Sequence, residues 1–356
     1  MNTFRLFSHI PFFDKLLFTK HFSIMIKTGI PIAEILQSLG DQVKSKHFRS
    51  IISHVLRDVQ NGQPLATAFG KYPEAFSTLY VSLIAVGEES GNLEQTFGFL
   101  SKQLEKEYSL HKKIEGASLY PAIILITMTI LSGFIAIFIL PKIIELFKGF
   151  NTTLPPTTKA LLFVANLMKN HGLLIISGII VGFITFILLI QTKTCKPWWH
   201  RFILHLPVVG SLIANIQRAR FARNLGVLLQ SGVPINKSLT VAASTLTNIP
   251  FQRHILFVAH EVVKGKTLAD SLSQHNGRFL YSSLTIKMVQ VGEKSGKLEE
   301  TLLYLGDFYE EEVDTVAKNF ATVIEPVLLL GIGLLVAFVS LAIISPIYEF
   351  IGSVGG

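Results

Sequence analysis

The feature that most constrains this chain is an internal repeat. Residues 29–32 (Gly-Ile-Pro-Ile) recur at 232–235 as Gly-Val-Pro-Ile, an offset of 203 residues. Residues 86–94 (Val-Gly-Glu-Glu-Ser-Gly-Asn-Leu-Glu) recur at 291–299 with only two substitutions, an offset of 205. Self-similarity at a nearly constant offset indicates a duplicated structural unit. The sequence therefore predicts two copies of one unit. The change in offset predicts a two-residue insertion in the second copy, in the segment that aligns with the residues between Phe76 and Val86.

Both copies carry the signals that begin and end helices. Helical patterns at 15–28 and 218–231 each stop at a glycine, and a proline two positions later restarts the helix. Further turns are predicted at 61–64, 264–267, 90–91 and 295–296. No run of alternating β-branched residues competes with these patterns. The sequence predicts an all-α protein in which each copy forms an antiparallel bundle of about six helices.

Three apolar runs, at 117–140, 172–190 and 326–347, accompany the two copies. Only 16% of the residues are charged, whereas soluble domains carry about 25%. At about 1.5 Å per helical residue, the first run spans roughly 36 Å, enough to cross a hydrocarbon core of about 30 Å, and the second fits a shorter crossing of roughly 28 Å. The sequence therefore predicts a polytopic membrane protein with three transmembrane helices.

Lysine and arginine flank the same side of the first two runs, and the tail after residue 347 has neither. Charged residues also interrupt the first 22 residues, so no signal peptide is expected. By the positive-inside rule, both copies and the N-terminus are predicted to be cytoplasmic and the C-terminus external. The predicted order is a first bundle at 1–116, a membrane helix at 117–140, an external loop at 141–171, a membrane helix at 172–191, a second bundle at 192–322, a membrane helix at 323–347 and an external tail at 348–356.

Composition excludes several classes of function. The net charge of +8 is spread over both copies rather than clustered, so nucleic-acid binding is not expected. The single cysteine, Cys195, excludes a disulfide framework and a multi-cysteine metal site. No sequence pattern for a nucleotide-binding loop or a zinc protease is present, and we expect neither a cofactor nor enzymatic activity. The acidic run 310–314 could bind a cation, but a solvated helix face is the simpler interpretation.

The repeated Gly-Glu pair is the principal site candidate. Glu88 and Glu293 are predicted in the last turn of a helix, where the negative end of the helix dipole disfavours a carboxylate. A cation also occupies matched positions in the first helix of each copy, Lys20 and Arg223. We therefore predict the ion pairs Glu88–Lys20 and Glu293–Arg223. The alternative is that one carboxylate faces a partner protein or a neighbouring subunit. The neighbouring glycines of the motif are Gly87, Gly91, Gly292 and Gly296.

Prolines mark the beginning of two apolar runs, at Pro121 and Pro326. Glu325 precedes the second of these, and we expect it at the N-terminus of a membrane helix, where the helix dipole favours a carboxylate. The alternative for Glu325 is a contact with another subunit.

Taken together, these motifs resemble the type II secretion system F family. The resemblance rests on the Gly-Val/Ile-Pro-Ile turn, the motif Val-Gly-Glu-x-Ser-Gly-x-Leu-Glu, the segments that end in Tyr120-Pro121 and Glu325-Pro326, and the linker Leu-Pro-Val-Val-Gly at 206–210. It extends from about residue 17 to residue 347.

The resemblance implies an inner-membrane platform protein of type II secretion or of type IV pilus assembly. It further implies a hexameric cytoplasmic assembly ATPase, pilins or pseudopilins and other inner-membrane assembly components as partners, in contact with membrane lipid. Because a platform beneath a helical filament must present its surface around an axis, we expect a homo-oligomer. The alternative is a transporter or channel component, although the apolar runs lack ionisable residues at their centres.

Overall fold

The computed structural model describes residues 10–134, 195–275 and 277–354, together with isolated positions between 138 and 192. The helices of these residues are joined by short turns, and no strand is formed within them. This agrees with the predicted all-α class.

The first copy contains six helices. They are α1 (Phe12–Lys27), α2 (Ile32–Gln42), α3 (Lys46–Gln60), α4 (Leu65–Gly70), α5 (Thr78–Glu89) and α6 (Leu93–Phe134). The predicted turns at 28–31, 61–64 and 90–91 lie between consecutive helices. Pro31 and Pro64 each stand immediately before the next helix, since a proline there loses no hydrogen bond.

The second copy contains the same series with two additional short helices. They are α7 (Cys195–Ile203), α8 (Val209–Gln230), α9 (Ile235–Thr245), α10 (Ile249–Val263), α11 (Leu268–Ser273), α12 (Gly277–Leu280), α13 (Ser283–Ser295) and α14 (Leu298–Val354). Helices α1 to α6 correspond in order to α8, α9, α10, α11, α13 and α14. We refer to residues 10–113 as the first bundle and to residues 200–316 as the second bundle.

Matched aromatic contacts locate the insertion in the second copy. Phe18 packs on Phe76 with ring centroids 6.2 Å apart, and Phe221 packs on Tyr281 at 5.4 Å. The first members of these pairs differ by 203 residues and the second members by 205, so the insertion precedes Tyr281. The predicted place, after Phe76, was wrong. The extra residues lie in the connection that forms α12, where loop length can change without altering the core.

Two buried core clusters are present, one centred on each bundle, and the first also includes Val227, Leu228, Val233 and Val241 of the second copy. In the first bundle, the matched core positions are filled mainly by aromatic side chains: Phe18, Phe22, Phe48, Phe69, Phe76, Tyr80 and Phe97. The equivalent positions of the second bundle are Phe221, Leu225, Phe251, Leu272, Tyr281, Thr285 and Leu302. The two copies therefore share a backbone arrangement but differ in core chemistry.

The chain divides into two compact units. One comprises Met1–Lys113 and His200–Val316, and the other comprises Ile114–Trp199 and Ala317–Gly356. Both bundles belong to the first unit. Helices α6 and α14 are continuous across the predicted domain boundaries at residues 116 and 322.

No helix within the described residues meets the combined length and hydropathy requirement for a membrane span. The predicted external loop at 141–171 and most of the predicted membrane helix at 172–191 lie outside the described residues. In the second unit, several large apolar side chains are exposed, among them Leu125, Ile130, Leu330, Leu334 and Leu341.

Candidate functional site

The repeated motif forms the corner between the fifth and sixth helices of each copy. A β-carbon added to Gly87 would lie 2.1 Å from Thr96 Oγ1, and one added to Gly292 would lie 2.6 Å from Thr301 Oγ1. Such distances are far below van der Waals contact. Glycine is therefore required at both positions because the following helix passes against the bare backbone.

The second glycine of the motif ends the helix. Gly91 and Gly296 both adopt φ = +69°, in the left-handed region that favours glycine. The amide of Asn92 donates to the carbonyl of Gly87 at 2.7 Å, and that of Lys297 donates to the carbonyl of Gly292 at 2.9 Å. These bonds satisfy carbonyl groups that the end of a helix leaves without partners.

The motif carboxylates bind the N-termini of short helices. Glu88 accepts hydrogen bonds from the amides of Leu65 at 2.7 Å and Ala66 at 3.1 Å. Glu293 accepts from the amides of Leu268 at 2.7 Å and Ala269 at 3.2 Å. In each copy, the two carboxylate oxygens serve two amides at the start of the fourth helix. A negative group is stabilised there by the free amides and by the helix dipole.

The predicted ion pairs Glu88–Lys20 and Glu293–Arg223 were therefore wrong. Lys20 instead lies 2.7 Å from Glu105, and Arg223 lies 3.0 Å from Glu310. Glu105 and Glu310 are themselves matched across the repeat, with the offset of 205. The duplicated ion pair exists, but it joins the first helix to the sixth rather than to the fifth.

The four candidates beside the apolar runs lie inside long helices. Tyr120 and Pro121 are positions of α6, and Glu325 and Pro326 are positions of α14. Glu325 is therefore not at a helix N-terminus, and that expectation was wrong because the bundle helix continues through the proline. Pro326 is exposed. A contact of Glu325 with another subunit remains a prediction.

A charged seam joins the two bundles. Sequence analysis singled out Arg223 and the acidic run that begins at Glu310, but it missed the contacts of these residues with the other bundle. We use this name for Gln103, Lys106, Arg223, Asn224, Asp307 and Glu310. Lys106 lies 2.9 Å from Asp307 and 3.5 Å from Glu310. Arg223 contacts the same two carboxylates. A second link between the bundles is the hydrogen bond from Gln103 Nε2 to Asn224 Oδ1, at 2.7 Å.

The pKa values of the seam groups follow from these contacts. The hydrogen bond to Asp307 raises the pKa of Lys106. Burial would raise the pKa of Asp307, but hydrogen bonds from Arg223 and Lys106 outweigh that effect and lower it. Both groups therefore stay charged near neutral pH, and the seam carries fixed charges of both signs.

The seam borders a cavity of about 280 Å³ between the bundles. Its walls include Gln103, Lys106, Arg220, Arg223 and Asn224.

The repeat does contain a signal for some of these residues, namely a change of polarity between matched positions. Arg220 corresponds to Leu17, and Gln103 corresponds to Phe308. Both positions line the cavity between the copies, so a change from an apolar to a polar residue at a matched position accompanies a contact that the two copies do not share.

The acidic run at 310–314 takes part in ion pairs. Glu310 contacts Arg223 and Lys106, and Asp314 lies 3.8 Å from Lys113. In the part of the chain that the structure describes, no three His, Cys, Asp or Glu side chains are grouped to hold a metal ion. Cys195 is exposed at the beginning of α7.

Known proteins share this duplicated arrangement. The sequence model of the family described as type II secretion system (T2SS), protein F, matches residues 18–141 and 221–346, one match in each copy. The chain is 30% identical over 344 residues to the type IV pilus assembly protein PilC of Pseudomonas aeruginosa, which covers 96% of this chain and 91% of PilC.

Two further relatives are similar over the same share of this chain. The type IV pilus assembly protein PilC of Myxococcus xanthus is 28% identical over 341 residues, covering 96% of this chain and 81% of that protein. The type II secretion system protein F of Pseudomonas aeruginosa is 30% identical over 342 residues, covering 96% and 84%. Because the family match falls on both copies and accounts for more than half of the residues, the chain belongs to the type II secretion system protein F family.

Proposed function

We propose that this chain is the inner-membrane platform protein of a type IV pilus or type II secretion assembly machine. The observation that carries the proposal is the family match to both copies, with relatives in both kinds of machine that align over nearly the whole chain. The contacts that join the two bundles support it, because a platform protein must hold its surfaces in a defined arrangement.

A deletion of the coding gene tests this function. The deletion strain should lose surface pili or secreted substrate while its pilins remain in the membrane fraction, and expression of the chain should restore assembly. Normal piliation and normal secretion in the deletion strain would contradict the proposal.

The proposed mechanism couples a cytoplasmic hexameric assembly ATPase to the insertion of pilin or pseudopilin subunits. It is supported by the ion pairs and the hydrogen bond that join the bundles, since a scaffold transmits a displacement only if its parts move together. The full chain in lipid nanodiscs should alter the rate of ATP hydrolysis by the purified ATPase and should hydrolyse no ATP alone. An unchanged rate, with no detectable complex between the two proteins, would exclude direct coupling.

We further propose three membrane crossings, with both bundles cytoplasmic and the C-terminus external. The support is the three apolar runs of the sequence and the exposed apolar side chains of the second unit, since soluble surfaces rarely expose contiguous apolar patches. In a Cys195→Ser background, cysteines at Asn151 and Ser353 should react with an impermeant maleimide on intact spheroplasts, and one at Ser45 should not. Labelling at Ser45 without lysis would reverse the orientation.

We also propose that this chain forms a homo-oligomer. A platform for a helical filament must offer its contacts repeatedly around an axis, and closed symmetry is the usual way to achieve this. Native mass measurement in nanodiscs should show a dimer or a larger assembly. A monomer at every concentration would contradict it.

A further inference from the structure

The cavity between the bundles begins at the N-terminus of α5. Ser77 caps this helix by accepting from the amide of Tyr80 at 3.3 Å. Ser77, Thr78 and Leu79 all line the cavity. The amides of Thr78 and Leu79 have no acceptor within their own helix, because the first turn of any helix lacks one. The cavity wall therefore carries a partial positive charge.

A guanidinium without an ion pair lies in the same wall. Among the described residues, Arg220 has no carboxylate within 4.0 Å, and its Nε is buried without a hydrogen-bond acceptor. The other two cations of the wall, Lys106 and Arg223, are each paired with Asp307 and Glu310. Arg220 is therefore the cation available to an anion from solution.

An unsatisfied acceptor completes the wall. Gln103 is only 8% exposed and lines the cavity. Its Nε2 donates to Asn224 Oδ1, whereas its Oε1 has no donor among the described residues. A buried acceptor without a partner is destabilising, because it has lost its hydrogen bonds to water. An N–H group supplied from the cavity would satisfy this oxygen.

The size and charge of the cavity define the ligand. A volume of about 280 Å³ is too large for a single inorganic ion and lies near the lower limit of small-molecule sites. Asp307 and Glu310 balance the charges of Lys106 and Arg223. The attraction for an anion therefore comes from Arg220 and from the start of α5. A helix N-terminus beside an arginine is a recurrent arrangement for phosphate.

We propose that this cavity binds a small organic phosphate that also carries an N–H donor. The phosphate lies against the start of α5 and Arg220, and the N–H donates to Gln103. Since Arg220 belongs to the second bundle and α5 to the first, the ligand contacts both copies. The site is independent of the choice between pilus assembly and secretion.

Three related probes test the two halves of the site. Adenosine monophosphate carries both a phosphate and an exocyclic amino group, purine riboside monophosphate lacks the amino group, and adenosine lacks the phosphate. Calorimetric titration of the full chain in nanodiscs should show one saturable adenosine monophosphate site per chain. Each of the other two probes should bind about tenfold more weakly, the loss expected for one charged or buried hydrogen bond. The absence of saturable binding, or equal binding of adenosine, would overturn the proposal.

Variants then assign the binding to this cavity. Arg220→Met should weaken adenosine monophosphate binding by at least about tenfold, with Arg220→Lys intermediate. Arg253→Met, an exposed arginine of α10 outside the cavity, should leave the affinity unchanged and is the matched control. Gln103→Met should abolish the preference for adenosine monophosphate over purine riboside monophosphate. This preference is the ratio of two affinities measured on the same sample, so a misfolded fraction does not change it. Unchanged affinity of a folded Arg220→Met protein for adenosine monophosphate would show that the nucleotide binds outside this cavity, and it would overturn the proposal.

Discussion

The two bundles fill equivalent core positions with different side chains. In the first bundle, the rings of Phe22 and Phe97 stack with centroids 3.9 Å apart, whereas the matched positions in the second bundle are Leu225 and Leu302. All four side chains are fully buried. The comparison shows that core residues in contact can change together while the apolar character of the core is retained.

Buried hydroxyl groups have also been rearranged. In the first bundle, the hydroxyl of Tyr80 lies 3.2 Å from Thr19 Oγ1. In the second bundle, a threonine occupies the position of Tyr80, and the tyrosine is at Tyr309, whose hydroxyl bonds Ser282 and Thr285. By contrast, the Gly-Glu corner is the same in both copies. The corner tolerates less change than the core, because the following helix passes against Gly87 and Gly292 and leaves no space for a side chain.

The largest expected effect comes from truncating the aromatic stack. Phe22→Ala should lower the free energy of unfolding of the first bundle by about 3 to 5 kcal/mol, and Leu225→Ala that of the second by about 2 to 5 kcal/mol. The first loss should be greater because the larger side chain leaves a larger cavity. Hydrogen exchange of the full chain in nanodiscs, read separately on α1 and α8, measures both.

The partly exposed Phe13, which is 47% exposed, supplies the control. Phe13→Ala should have little effect on exchange in α1. A smaller loss for Phe22→Ala than for Leu225→Ala would contradict the difference in core chemistry.

Alanine at the first motif glycine tests the close helix contact. Gly87→Ala should destabilise the first bundle by about 1 to 3 kcal/mol, since the methyl group overlaps Thr96. Gly292→Ala should cost less because its overlap with Thr301 is smaller, at 2.6 Å against 2.1 Å. Thermal unfolding of the full chain gives the ranking.

Two variants control this prediction. An added β-carbon at Gly98 meets nothing closer than 3.9 Å, so Gly98→Ala should be neutral or stabilising through helix propensity. Thr96→Ala should recover part of the loss in Gly87→Ala. If Gly98→Ala and Gly87→Ala behave alike, steric overlap is not the cause.

Neutralising the capping carboxylates should have a smaller effect. Glu88→Gln and Glu293→Gln should each cost about 1 to 2 kcal/mol, because the amide replaces one acceptor and the charge at the helix N-terminus is lost. Faster hydrogen exchange should appear at the amides of Leu65 and Leu268, respectively.

Lys20→Met tests whether Lys20 stabilises the fold by pairing with Glu88, as the sequence predicted. The pair of Lys20 with Glu105 is about half exposed, and such pairs contribute below about 1 kcal/mol. Lys20→Met should therefore be milder than Glu88→Gln. For the same reason, exchanging the charges in Glu293→Arg with Arg223→Glu should not restore stability, and a clear recovery would contradict the capping role.

The smallest effect concerns a charge pair that differs between the bundles. Hydrogen bonds from Lys266 and then Lys264 lower the pKa of Glu261 to about 2, below the value of about 4.3 expected in an unfolded chain. A depressed pKa contributes stability above the unfolded value, and this contribution is lost as the pH falls from about 4.3 towards 2.

Glu261→Gln measures this contribution. The difference in melting temperature between the wild type and Glu261→Gln should be a few degrees at most at neutral pH and should shrink as the pH falls below about 4. The matched position in the first bundle is Asp58, which contacts only Lys71 at 2.9 Å among its described ion pairs. Asp58→Asn should therefore show a smaller change with pH. A difference for Glu261→Gln that persists unchanged to pH 2 would exclude a titrating contact.

The sequence could predict the helices because their boundaries depend on local chemistry. The turns after α1, α3 and α5 contain glycines with positive φ at matched positions in both copies, such as Gly29 and Gly232. The repeat also singled out Gly87 and Glu88, since their requirements are the same in each copy. What failed was the partner of Glu88. Its hydrogen-bond donors are main-chain amides 23 and 22 residues away. Every residue except proline has a main-chain amide, so the residue type does not reveal which amide is the donor.

By itself, the sequence determined that this protein is all-α, that it is duplicated, and that it belongs with the pilus and secretion platform family. Periodicity, turn residues and repetition are local or copied properties, so they can be read directly along the chain. Only the tertiary structure decided that Lys106 and Gln103 of one copy meet Asp307 and Asn224 of the other. Such contacts depend on how two folded surfaces approach each other, and no spacing along the chain encodes that approach.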